Sequence, residues 1–340
     1  MAPVKNGRLL FNEYPEGYPI PGKTTVYDES ETIDLENVPL DGGFLLKVLN
    51  VSVDPYLRGK MRVDSAYSDH FLPGKPVYNL GVGVVLRSEL SGVKPGDHIY
   101  GYLPFQQYVV KPSLDDYQIL QNEHNLPWSA FVGVAGMPGE TAYYSWKEYS
   151  SAKKGEVAFV STAAGSVGSF IVQLAKADGL KVIASAGSDE KVAFAKSIGA
   201  DVAFNYKTTD TNEVLAKEGP IDVYYDNVGG SSLDAALAHA SQGARFIECG
   251  MISGYNADPP PVKNLMSIIY KEIKIFGFLI TSLRPKYVDE FYREVPKLVA
   301  NGTIKYLEDR TQGLQYAGHA LEAVQRGTNK AKSVIIVNEE

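Results

Sequence analysis

The turn Ala163-Ala164-Gly165-Ser166-Val167-Gly168 constrains this chain more than any other feature, because of what stands on either side of it. Before it, residues 156–160 form a short apolar run suited to a parallel strand covered on both faces. After it, Val167, Phe170, Ile171 and Leu174 recur at helical spacing. In such a turn Gly165 lets the backbone approach a pyrophosphate, and Gly168 lets the helix pack close to the strand. First-turn amides, including those of Ser166 and Val167, then face the phosphate charge. Ala163 stands where the usual first glycine would be. Glycine triplets are common in tight turns, so the context carries the reading: strand, turn and helix open a dinucleotide-binding βαβ unit.

The alternation continues downstream. Strands are expected at 181–184, 201–204, 222–225, 244–248 and 273–276, with helices at 189–198 and 231–240 and Ser188 as an N-cap. That order predicts an α/β fold with a doubly wound parallel sheet. Residues 1–128 have a different texture. Their short β-like runs, at 44–53, 82–87 and 105–110, are bounded by turns such as Asp41-Gly42-Gly43 and Lys94-Pro95-Gly96-Asp97. A late helix at 317–325 and a β run at 333–337 are expected to return to that domain. The expectation is therefore two domains, 1–128 with 306–340 as a β-rich, partly open barrel, and 129–305 as the dinucleotide-binding unit. A chain of 340 residues can bury two such cores.

Composition excludes several classes. A net charge of -7 argues against a nucleic-acid footprint, which needs a basic face. No apolar stretch approaches the roughly 20 residues of a membrane helix. Residues 1–13 lack the apolar core of a secretory signal, so a cytoplasmic protein is expected. Cys249 is the single cysteine, and the five histidines show no ligand spacing, so no metal site is expected.

Which dinucleotide binds depends on the end of the second strand, where an acid would hold the ribose diol of NAD. Ala184-Ser185-Ala186-Gly187-Ser188 offers none, and Asp189 and Glu190 fall in the first helical turn. Lys191 is placed to neutralise a 2′-phosphate, although its spacing suits an ordinary solvated lysine equally well. NADPH is preferred on this basis.

Five motifs in order carry a resemblance: Asp54-Pro55-Tyr56-Leu57-Arg58-Gly59, Met137-Pro138-Gly139-Glu140-Thr141-Ala142-Tyr143, the turn 163–168, Asp226-Asn227-Val228-Gly229-Gly230, and Cys249-Gly250-Met251-Ile252-Ser253-Gly254-Tyr255. Across nearly the whole chain they resemble the zinc-independent medium-chain dehydrogenase/reductases, in the branch of prostaglandin reductases, leukotriene hydroxydehydrogenases and plant alkenal double-bond reductases. The resemblance implies a Rossmann sheet beside a GroES-like barrel, and NADPH-dependent reduction of the C=C bond of a small α,β-unsaturated aldehyde or ketone. Lys191 and Tyr206 match the family's 2′-phosphate contacts. Asn227 and the run Cys249, Gly250, Met251, Ile252, Ser253 match cofactor contacts, as does Asn329 near the C-terminus. Phe278, Leu279 and Ile280, with Met137 and Thr141, match segments beside the nicotinamide. Tyr56 matches an aromatic residue of the substrate pocket, and a homodimer through the edge of the cofactor sheet is implied.

Tyr255 matches the residue near the substrate carbonyl. Its hydroxyl either protonates the substrate or binds the ribose while solvent supplies the proton; otherwise it is a packing tyrosine among 22. Cys249 is better suited to a structural place than to a reactive thiol. Glu140 departs from the apolar residue the family often has there. The Gly-His-Glu motif and four-cysteine lobe of the zinc alcohol dehydrogenases are missing from the sequence, so electrophilic help is expected from hydrogen bonds. A quinone oxidoreductase and a non-catalytic NADPH-binding scaffold are the alternatives to an enone reductase.

Overall fold

The computed structural model of the protein describes residues 2–64 and 69–340. The chain divides into two compact units, Met1–Gly133 with Glu308–Glu340, and Val134–Leu307. No helix among the described residues is long and apolar enough to cross a membrane.

The first unit opens with β1 (Val4–Lys5), β2 (Arg8–Phe11), β3 (Thr25–Asp28) and β4 (Thr32–Ile33), which form two short antiparallel pairs, β1 with β4 and β2 with β3. Next come β5 (Phe44–Ser52), the short α1 (Leu57–Lys60), β6 (Tyr78–Ser88), β7 (His98–Pro104), β8 (Tyr108–Lys111) and β9 (Tyr117–Ile119). β5 is buried along almost its whole length, which is why Phe-Leu-Leu-Lys-Val-Leu-Asn-Val-Ser does not alternate. It pairs antiparallel with β6 on one side, and with β8 at its start on the other. Phe11, Phe44, Leu46, Val48, Leu103 and Phe105 fill the core.

The second unit holds α2 (Met137–Tyr149), β10 (Val157–Val160), α3 (Ser166–Ala177), β11 (Lys181–Ala186), α4 (Asp189–Ser197), β12 (Val202–Asn205), α5 (Thr211–Glu218), β13 (Ile221–Asp226), α6 (Gly230–Ala238), β14 (Ala240–Glu248), α7 (Ser267–Tyr270), β15 (Lys274–Gly277) and α8 (Ile280–Ala300). Its six strands are ordered β12-β11-β10-β13-β14-β15, all parallel, so the order reverses between β10 and β13. In a doubly wound sheet of this kind ligands bind at that switch point, outside the carboxyl ends of the strands. Phe159, Ile183, Tyr224 and Phe246 form the core, with the Phe159 and Tyr224 rings stacked at 5.1 Å.

The chain then returns to the first unit through β16 (Glu308–Gln312), α9 (Ala317–Arg326) and β17 (Lys332–Ile336). β17 lies antiparallel to β5, with Ile335 opposite Val51, and β16 runs parallel beside it. β16 and β17 thus extend the sheet that holds β5, β6, β7 and β9.

Candidate active site

Sterics shape the glycine turn. After β10, Thr162 adopts a left-handed φ of 54°, and its carbonyl accepts the Gly165 amide at 2.9 Å. A Cβ on Gly168 would lie 2.3 Å from that same carbonyl oxygen, so only glycine lets α3 approach the strand this closely. Gly165 is the N-cap of α3 in extended conformation, and no side chain caps the helix. The first-turn amides of Ser166, Val167 and Gly168 have no carbonyl one turn back within the helix to bond. An uncapped N-terminus beside a cradle that a side chain would fill fits a pyrophosphate.

The ends of β11 and β12 gather a second set. Ser188 caps α4 by accepting the Lys191 amide at 3.3 Å. The Tyr206 amide bonds Ala186, and its hydroxyl stands 3.1 Å from where a Cβ of Gly187 would be. Asp189 is occupied by Asn205 Nδ2 at 3.0 Å. With Asp189 engaged by Asn205, the residue types that follow these two strands, Lys191 and Tyr206, suit a phosphate better than a ribose diol.

At the ends of β13 and β14 two loops are tied together. Asn227 bonds Ser161 twice, through its amide and its side chain, each at 2.8 Å. The Ser253 amide donates to the Val228 carbonyl at 3.0 Å, and that of Ile252 to Asn227 at 3.4 Å. A Cβ on Gly229 would meet Met251 at 2.8 Å, so the loops touch. Gly250 is overhung by Tyr255, whose hydroxyl lies 3.0 Å from where its Cβ would stand. Burial pushes the Cys249 thiol up to about 12, against a hydrogen bond from Tyr225 that lowers it. Cys249 is therefore no thiolate at neutral pH.

Gly277 is the register partner of Glu248, so Phe278, Leu279 and Ile280 leave the sheet beside the 249–255 loop and start α8. Met137 and Thr141 lie on the first turns of α2, where the Thr141 hydroxyl bonds the Met137 carbonyl at 2.7 Å. α2 is fastened to the sheet by Ser145 Oγ and the Tyr225 hydroxyl, 2.8 Å apart. Also on α2, Glu140 is 1% exposed and receives Arg284 Nη1 at 2.9 Å. Burial holds its carboxyl above the usual range, with Arg284 and Tyr292 pulling it down.

Tyr56 and Asn329 belong to the first unit. Tyr56 belongs to a polar network that sequence reasoning does not reveal. Its hydroxyl donates to Asn79 Oδ1, while Asn79 Nδ2 donates to the Ser52 carbonyl and to Asp54 Oδ2, both at 2.9 Å. Asp54 is paired in turn with buried Lys332, at 2.7 Å from Oδ1. Desolvation, then Tyr102 and the charge of Asp54, hold the Tyr56 phenol well above its usual range. Its proton is given to Asn79, and its oxygen is also engaged with the Tyr102 hydroxyl. Asn329 Nδ2 bonds the Ala331 carbonyl at 2.7 Å, in the turn before β17.

Among the described residues no group of three or more His, Cys, Asp or Glu side chains could hold a metal ion. Residues 166–300 match a family described as zinc-binding dehydrogenase, and residues 8–119 match the N-terminal domain of oxidoreductase. An NADP(+)-dependent 2-alkenal reductase of Nicotiana tabacum is 38% identical over 99% of this chain and 99% of its own. Prostaglandin reductase 1 of Sus scrofa is 34% identical over 94% of this chain and 95% of its own. The crystal structure of CurA in complex with NADPH from Vibrio vulnificus superposes with a TM-score of 0.90, at 31% identity over 98% of this chain and all of that one. Sheet order, glycine turn and relatives agree: the chain belongs to the medium-chain dehydrogenase/reductase family, in the zinc-independent branch of the prostaglandin and alkenal reductases.

Proposed function

We propose that this protein is an NADPH-dependent reductase of the carbon–carbon double bond in α,β-unsaturated aldehydes and ketones. Three supports favour NADPH: the uncapped start of α3, the Lys191–Tyr206–Ser188 group with Asp189 engaged elsewhere, and a 31% identical relative whose structure contains NADPH. When bound, that cofactor supplies the hydride.

The chain's own work is to bind and to answer charge. Ser166, Val167 and Gly168 offer amides to the pyrophosphate, and Lys191 and Tyr206 offer donors to the 2′-phosphate. Asn227, Cys249–Tyr255, Phe278–Ile280, Met137 and Thr141 shape the nicotinamide end. Roles for Tyr56 as a substrate contact and Asn329 as a cofactor contact rest on the family resemblance. As the β-carbon of the substrate is reduced, negative charge grows on the carbonyl oxygen and calls for a donor. A phenol is such a donor at neutral pH.

The observation that carries this reading is the Tyr255 hydroxyl over Gly250, on a loop tied to the turn after β13. The substrate class is supported by relatives named for alkenal and prostaglandin reduction. A panel of 2-alkenals, cyclic enones, phenylpropenals and quinones, run with NADPH and NADH, tests it. NADPH should be consumed with alkenals and enones, and NADH poorly. Turnover of quinones alone would make the protein a quinone oxidoreductase; tight cofactor binding with no acceptor would make it a scaffold.

The same reading includes a two-fold dimer through β15. Among the described residues that strand pairs with β14 alone, and Ile275 on it is exposed, as are Met266, Ile269, Tyr270 and Leu279 nearby. An open edge with apolar surroundings is a template for pairing. Sedimentation should give a dimer, and Ile275→Lys should weaken it.

A further inference from the structure

The carboxyl ends of β13 and β14 bring two acids into one buried place. Asp226 and Glu248 are register partners across the parallel pair. Asp226 is fully buried, and both carboxyl oxygens of Glu248 are shut off from solvent. Asp226 Oδ1 accepts the amides of Val228 at 2.7 Å and Gly229 at 2.9 Å, the Tyr224 hydroxyl at 2.8 Å and, more distantly, Ser161 Oγ at 3.4 Å. Its main-chain carbonyl accepts the amides of Cys249 at 2.9 Å and Gly250 at 3.2 Å. One residue thus fixes the turn after β13 and the first residues of the 249–255 loop.

The remaining oxygens have only each other. Among the described residues no protein donor reaches Asp226 Oδ2 or either oxygen of Glu248, and a hydrogen bond between the two carboxyls is the pairing that their adjacency in register offers. Two buried carboxylates in contact repel, so that bond requires a proton. The donors converging on Oδ1 favour the charge on Asp226, which leaves the proton on Glu248. Burial raises Asp226 as well, against the donors on Oδ1 that lower it, and the other titratable groups around the pair are Tyr224, Tyr225 and Cys249, each raised by burial.

We propose that Glu248 is a positioning residue acting as a neutral acid: by donating to Asp226 Oδ2 it holds the 227–230 turn and the 249–255 loop in the geometry that receives NADPH. This rests on the reading that those two segments carry the cofactor. A carboxylic acid kept neutral by an apolar site so that it can donate has precedent in enzyme chemistry. Burial, then the charge of Asp226, push Glu248 up to about 9. The tie is therefore intact at neutral pH and is lost as pH rises through about 9, when two adjacent charges replace one hydrogen bond.

Two readouts on the full-length protein test this between about pH 7.5 and pH 10, across the range where the acid would ionise. One is NADPH affinity by nucleotide fluorescence; the other is hydrogen–deuterium exchange of the cofactor-free protein over 225–230 and 248–255. In the wild type, one unit above the titration point leaves roughly a tenth of the molecules competent, so affinity weakens about tenfold and protection falls with it. Glu248→Gln places a non-titrating amide donor against Asp226. It should hold its own neutral-pH affinity and protection across the range. Glu248→Leu removes the donor and should lose protection already at neutral pH. An alkaline loss of equal size in Glu248→Gln, in both readouts, would overturn the proposal. Protection that follows residue 248 while NADPH affinity does not would keep the tie but overturn the cofactor role of these loops.

Discussion

Gly165→Ala and Gly168→Ala lie three residues apart in one turn, yet should fail in different ways. At position 168 the new Cβ would sit 2.3 Å from the Thr162 carbonyl oxygen, 2.9 Å from its carbon and 3.1 Å from Ala163 Cα. Ordinary contact begins at 3.4 Å, and all three neighbours are backbone, so α3 must retreat by about 1 Å. Overpacking of that kind costs about 1–3 kcal/mol. Alanine's helical advantage over glycine returns about 0.5–1 kcal/mol. The net loss of about 0.5–2 kcal/mol should lower Tm by about 2–6 °C. At position 165 the nearest atoms are the Thr162 Cγ2 at 3.1 Å and carbonyl oxygen at 3.2 Å, and the backbone conformation is open to any residue. Stability should move by less than about 1 kcal/mol. On the proposed cofactor site, the methyl group would instead stand where the pyrophosphate is expected to approach. Losing one charge-assisted bond of about 1.5–3 kcal/mol weakens NADPH binding by about tenfold or more. Thermal melts of the cofactor-free protein and NADPH titrations separate the two effects. A Gly168→Ala protein as stable as wild type, or a Gly165→Ala protein that melts early while binding NADPH normally, would refute the reasoning.

Lys191→Ala should weaken NADPH binding by about tenfold or more while sparing NADH, since one charge-assisted phosphate contact is lost; an unchanged NADPH/NADH ratio would remove Lys191 from the 2′-phosphate site. Tyr255→Phe should lower kcat more than it lowers NADPH affinity, whereas equal losses would indicate a ribose or packing role. Arg284→Met strands the buried Glu140 carboxylate. Because the guanidinium is partly solvated, the cost should be about 2–3 kcal/mol, below that of a fully buried pair. Removing Arg284 raises further a carboxyl already held high by burial, so the stability deficit should shrink as pH falls and grow as it rises. Denaturant melts at about pH 5 and pH 8 check the sign, and an equal deficit at both would contradict it.

The parallel sheet is legible in the sequence because each strand is a short apolar run closed by a turn, as in Val157–Val160 and Lys181–Ala186. Ser188 is legible as a cap because its chemistry is local, and its Oγ does accept the Lys191 amide. α5 is hard to read because Leu215 alone among its residues is buried, too little for a helical stripe. α8 carries Pro285 and Pro296 inside it, residues that ordinarily mark helix ends. Within the site, the glycine turn is legible because sterics tie residue type to spacing. The pairs Asp226–Glu248 and Asp54–Lys332 are not, since strand register alone brings them together, the latter across 278 residues. The left-handed backbone of Thr162 has no sequence signal either.

The proposed activity stands on hydride transfer to the β-carbon of a conjugated double bond. Turnover of a 2-alkenal with NADPH deuterated at its hydride-bearing carbon, followed by NMR of the product, tests it most directly. The expected product is a saturated aldehyde with deuterium on the β-carbon and a new α-hydrogen from a solvent-exchangeable source. An allylic alcohol with deuterium on the former carbonyl carbon would contradict it.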